Sequence, residues 1–126
     1  MSGTAGDLRW VVEAAQAADD MKGVDTVVID VGDVLAVTDF FVITNGTNPR
    51  HVRAIVEAVE KELKEAGGPA PVRVEGAEAR QWVLLDYGSF VVHVFDSQMR
   101  DFYSLERLWA DRPRVDWQAA VVREAR

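Results

Sequence analysis

The sequence predicts an α/β domain: a mixed β-sheet with helices packed against it. Three observations carry this. An amphipathic stripe runs over residues 7–22, a second follows the pair Asn48-Pro49, and short runs rich in β-branched and aromatic residues lie between and after them. The order helix, two strands, helix, three strands, helix places at least one crossover beside the sheet, and parallel crossovers are right-handed.

In the first helix Leu8, Val11, Val12, Ala15 and Ala18 share one face, while Glu13, Gln16, Asp19 and Asp20 turn mostly away from it. Lys22 and Gly23 supply the cation and the residue able to adopt a left-handed backbone that commonly close a helix. The runs 25–31 (DTVVIDV) and 39–44 (DFFVIT) read as strands separated by a Gly-containing stretch, 32–38. Asn48 is a good N-cap and Pro49 a good first residue for the second helix, whose stripe is Val52, Ile55, Val56, Val59 and Leu63. Glu57 with Lys61 and Glu60 with Lys64 form i,i+4 pairs on its wet side, and Gly67, Gly68 and Pro69 stop it. Residues 72–75 are a weak strand. The run 82–95 (WVLLDYGSFVVHVF) reads as a hairpin turning within 86–89, with Gly88 free to take a positive φ. Ser97 caps a last short helix carrying Met99, Phe102, Leu105 and Leu108. Residues 1–110 form one domain, and the tail 111–126 has no assigned role.

A chain of 126 residues with 48% hydrophobic and 28% charged residues can bury a real core as one domain. Cysteine is absent, which removes disulfides, thiolate metal sites and cysteine nucleophiles and agrees with a reducing compartment, the cytoplasm. Neither an export signal nor a membrane span is indicated. The net charge of −7 disfavours direct nucleic-acid binding, which draws on Lys and Arg, and suits a basic protein partner.

Strand side chains alternate, so any two-residue loop within 86–89 gives the hairpin the same two faces. Val83, Leu85, Phe90, Val92 and Val94 form an apolar face suited to lie under helices. Trp82, Leu84, Asp86, Val91, His93 and Phe95 form the other, mixing aromatics with an acid and an imidazole. Aromatic anchors with a few polar groups suit a protein interface. Periodicity leaves a second reading open, in which another helix covers this face.

Catalytic motifs are missing. The two histidines, His51 and His93, fit no zinc-ligand spacing, and no Walker loop, GxGxxG turn or GxSxG elbow occurs. Asp25, Asp30, Asp33 and Asp39 are spaced too loosely to count as a Mg²⁺ motif, and Asp30 reads as the less buried face of a strand. His93 shares a face with Asp86, yet no nucleophile stands beside it.

Four blocks in order, DFFVITNGTNPRHVRAIVEAVE, Glu75-Gly76, WVLLDYGSFVVHVF and RDFYSLERLW, closely resemble the ribosomal silencing factor (Iojap-like) family over about residues 7–109. The resemblance implies a fold similar to nucleotidyltransferases without their catalytic residues, hence no enzyme and no cofactor or metal. It further implies binding to the large ribosomal subunit through its fourteenth protein, prevention of small-subunit joining, lowered translation, and a homodimer. The matching surface positions are Trp82, Leu84, Asp86, Tyr87, His93, Phe95, Arg100, Tyr103 and Glu106. Phe40 stands where the family often has Tyr, and Ser89 where it often has Asp, which removes a hydroxyl and a charge. The competing readings are a nucleotidyltransferase-like enzyme and a dimeric adaptor with a non-ribosomal partner.

Overall fold

The computed structural model describes residues 5–32, 38–78, 81–97, 111 and 113–119. Their order is α1 (Ala5–Asp20), β1 (Val24–Asp30), β2 (Phe40–Gly46), α2 (Pro49–Glu65), β3 (Arg73–Glu75), β4 (Trp82–Asp86) and β5 (Phe90–Asp96). The helix expected from Ser97 to Leu108 lies outside the described residues beyond Ser97 itself.

The five strands form one mixed sheet in the order β1-β2-β5-β4-β3. Only β2 and β5 run parallel, in the register Phe40↔Phe90 through Gly46↔Asp96, with α2 in the connection between them. The remaining neighbours are antiparallel. This topology makes β5 the central strand, between β2 and β4, with β1 and the three-residue β3 at the edges.

Both helices pack on one face of the sheet. Asn48 caps α2 as its spacing predicts, its Oδ1 accepting from the His51 amide at 2.9 Å, and Pro49 opens the first turn. Val52, Ile55, Val56, Val59 and Leu63 are then buried against Val28, Phe40, Val42, Val83, Leu85, Phe90, Val92 and Val94. Each aliphatic side chain so placed contributes about 1.5–3 kcal/mol. α1 buries Val11 and Val12 together with four alanines, Ala14, Ala15, Ala17 and Ala18, whose small side chains let it lie close to α2.

The end of α1 departs from expectation. Lys22, at φ 66°, takes the left-handed position, and Gly23 follows it with its amide bonded back to the Ala18 carbonyl at 2.9 Å. The Lys22 amide bonds to the Asp19 carbonyl at 2.9 Å, completing a Schellman closure one residue earlier than the glycine suggests.

Residues 113–119, from the tail the sequence leaves unassigned, run along β1. The Asp30 amide donates to the Pro113 carbonyl and the Val115 amide to the Val28 carbonyl, both at 2.9 Å. Trp117 is buried in the main core and donates its indole N–H to the Thr26 carbonyl at 3.2 Å. The segment satisfies backbone groups that an edge strand would otherwise present to other chains.

Candidate functional site

The hairpin register pairs Trp82 with Phe95, Leu84 with His93 and Asp86 with Val91, so the two faces divide as the alternation predicts. Val83, Leu85, Phe90, Val92 and Val94 lie in the helix-side core. Gly88 turns the chain at φ 87°, held by its amide bonding to Asp86 Oδ1 at 2.8 Å. Before the hairpin, Gly76 sits at φ 81° with its α-carbon against the Trp82 carbonyl, leaving no room for a Cβ.

The second face is not uniformly open. Trp82, Leu84 and Asp86 are half-buried, whereas Val91, His93 and Phe95 are buried. The central position of β5 explains the difference, since β2 brings Phe41, Ile43 and Asn45 alongside Val91, His93 and Phe95. Ile29, Val31, Ile43 and Phe95 form a second, smaller apolar cluster joined by Val27, Phe41 and Trp82. The surface positions His93 and Phe95 implied by the resemblance are therefore corrected: both are buried, beside the part-exposed Leu84 and Trp82 of β4. Tyr87 is also corrected. It is buried on the helix side, stacked on Phe90 with ring centroids 4.8 Å apart, and burial pushes its hydroxyl pKa up. Arg100, Tyr103 and Glu106 lie outside the described residues.

The aromatic side chains of the second face are mutually oriented. Trp82 stacks on Phe95 at 5.2 Å, and Phe41 meets the His93 ring edge-on at 4.7 Å. The Trp82 indole N–H donates to His93 Nδ1 at 3.1 Å. An indole nitrogen only donates, so Nδ1 accepts and the neutral imidazole carries its hydrogen on Nε2. Burial lowers the His93 pKa to about 4, which keeps the ring neutral. Nε2 has no hydrogen-bond partner among the described residues.

Beside this cluster, toward the short edge strand β3, the face opens into a groove of about 360 Å³. Phe41, Leu84 and Val91 wall it, and Thr38 and His93 line it as well. Arg73 and Asp86 stand at its rim, with Arg73 Nη2 3.5 Å from Asp86 Oδ2 and Nε 2.8 Å from Glu75. Thr38, Phe41 and Arg73 escape a hairpin-only reading because they enter through the β2–β5 and β3–β4 pairings. Such a surface can hold an apolar side chain and hydrogen-bond its backbone. Among the described residues no group of three or more His, Cys, Asp or Glu is placed to hold a metal ion, and no helix is long and apolar enough to cross a membrane.

The family model described as "Ribosomal silencing factor during starvation" matches residues 6–126, a span that includes the tail. The chain is 37% identical over 108 residues to a ribosomal silencing factor of Halalkalibacterium halodurans, covering 86% of this chain and 92% of that one. It is 38% identical over 103 residues to the mouse protein named "Mitochondrial assembly of ribosomal large subunit protein 1", covering 79% of this chain and 45% of the mouse protein. A crystal structure of a Chromobacterium violaceum protein superposes with a TM-score of 0.77 at 35% identity, covering 81% of this chain and 84% of that one. The matching sheet, the nearly full-length family match and these identities agree: the chain belongs to the ribosomal silencing factor family.

Proposed function

We propose that this protein binds the large ribosomal subunit through its fourteenth protein and blocks joining of the small subunit, lowering translation without catalysing a reaction. The observation that carries the reading is the part-open second face of the hairpin. There Trp82, Leu84 and Asp86 stand half-exposed over an aromatic bed, a composition typical of the energetic centre of a protein contact. The net charge of −7 favours a basic protein surface over bare nucleic acid. The mouse relative's name, which refers to the large ribosomal subunit, supports that subunit as the partner.

In this reading Trp82, Leu84 and Asp86 touch the partner directly. His93, Phe95 and Tyr87 act from below by holding the strands and rings in place. Arg100, Tyr103 and Glu106 extend the contact, as the family resemblance implies. The protein acts in the cytoplasm and is a homodimer when unbound.

The test is subunit joining followed by light scattering. Added protein lowers the amplitude of joining in proportion to its occupancy of large subunits, and a preparation that saturates large subunits without changing that amplitude would refute the reading.

A further inference from the structure

The two edges of the sheet are treated differently by the fold. Residues 113–119 run along β1, whereas β3, three exposed residues long, has no neighbour on its outer side among the described residues. An edge of this kind offers backbone N–H and C=O groups to an added strand.

On the helix side of that edge a trough of about 260 Å³ opens between α2 and β3. Pockets that hold drug-sized ligands run to roughly 300–1,000 Å³, so this smaller space suits a single long side chain. Val56 of α2 and Val83 of β4 form its buried floor, and Ala77 and Val74, the latter 41% exposed, form its outer wall. Arg53, Glu57 and Glu60 line it from α2.

Charge selects the class of occupant. The Arg53 guanidinium is taken up by Glu57, Nε lying 3.0 Å from Oε2. Glu60, half-buried, has no ion pair among the described residues, and Lys64, the i,i+4 partner offered by the sequence, does not pair with it. Burial, and after it the charge of Glu57, pushes the Glu60 pKa up. An apolar track that ends at an uncompensated carboxylate fits a long basic side chain, whose methylenes lie on the valines while its cation meets the acid. A second copy of this chain is disfavoured as the source, because both copies carry −7.

We propose that an extended, basic protein segment adds to the open edge of β3 and lays one long basic side chain in the trough, its stem on Val56, Val74 and Val83 and its cation at Glu60. This surface lies on the opposite side of the sheet from Trp82 and Leu84 and does not rest on the ribosomal reading.

The test titrates the ¹⁵N-labelled full chain with the peptide acetyl-Val-Thr-Lys-Thr-Val-amide, and with the same peptide carrying norleucine, which keeps a stem and lacks the charge, in place of lysine. The lysine peptide should shift the amides of Val74 and Ala77 and bind about tenfold more tightly than the norleucine peptide, the difference expected for one charge-assisted contact. Glu60→Gln should reduce it to the norleucine affinity, whereas Glu62→Gln, at an exposed position outside the trough, should leave it unchanged. Equal affinities of the two peptides for the parent chain, or equal losses in the two variants, would overturn the inference by reducing the contact to the overall negative charge. Shifts that spare Val74 and Ala77 would overturn it too, as would shifts there that follow protein concentration without peptide and so assign the edge to a second copy. Should Glu60→Gln fail to fold, the two peptides on the parent chain decide.

Discussion

Across the hairpin, the indole N–H of Trp82 is hydrogen-bonded to Nδ1 of His93 at 3.1 Å, so a half-exposed residue of β4 sets the tautomer of a buried residue of β5. The proposed interface and the second apolar cluster thus share the same side chains. Trp82 also stacks on Phe95, so substitutions in this layer are expected to alter stability together with the proposed docking.

The first consequence is a pH dependence of folding. The folded His93 pKa, about 4, lies below its ordinary value of 6.5, so the unfolded chain gains a proton before the folded one does. The stability tied to His93 is complete above pH 6.5 and is lost as pH falls toward 4, a total of about 3 kcal/mol. Urea midpoints measured from pH 7 to pH 5 should fall for the parent chain and fall less for His93→Phe. Equal slopes would contradict the assignment.

The strap along β1 belongs to the fold. Trp117→Ala removes a buried ring from the main core and should cost about 3–5 kcal/mol in urea unfolding. A loss under about 1 kcal/mol would mean that the strap is not docked in solution.

His51 joins the start of α2 to the end of α1. Its Nδ1 accepts from the Thr47 amide at 2.9 Å, and its Nε2 is 2.7 Å from the Met21 carbonyl. His51→Ala should destabilise by about 1–2 kcal/mol and speed hydrogen exchange at the Thr47 amide. Unchanged exchange there would contradict the bridge.

Two glycines of similar φ separate conformation from contact. Gly67, at φ 85°, has open space where a Cβ would sit, whereas at Gly76, at φ 81°, a Cβ would run into the Trp82 carbonyl. Gly67→Ala should cost about 1 kcal/mol. Gly76→Ala should cost clearly more, with β4 displaced, and equal melting-temperature losses would contradict the close approach.

Local features were legible in the sequence: the Asn48-Pro49 start of α2, its buried stripe, the Gly88 turn and the two faces of the hairpin all follow from short-range chemistry. The burial of His93 and Phe95 was not, because it depends on β2 lying parallel beside β5, a long-range pairing such as Phe40 with Phe90 that alternation cannot reveal. The same long-range pairing brings Phe41 and Thr38 to the groove. Lys22 in the left-handed position runs against the preference for the adjacent glycine, and Trp117, in a stretch without clear periodicity, gives no local sign of entering the core. Tyr87 matched a family surface position, although strand alternation already sets it apart from Trp82, Leu84 and Asp86. It falls on the helix side because it continues the alternation of Val83 and Leu85.

If the part-open face of β4 receives the ribosome as proposed, Leu84 is the position to disturb, because it is half-exposed and walls the groove. Sucrose-gradient sedimentation with purified large subunits should show the parent chain travelling with them. Leu84→Glu, which places a charge in the apolar contact, should stay at the top at the same concentration while its thermal melt remains cooperative. A folded Leu84→Glu chain that sediments with large subunits as well as the parent would contradict the account.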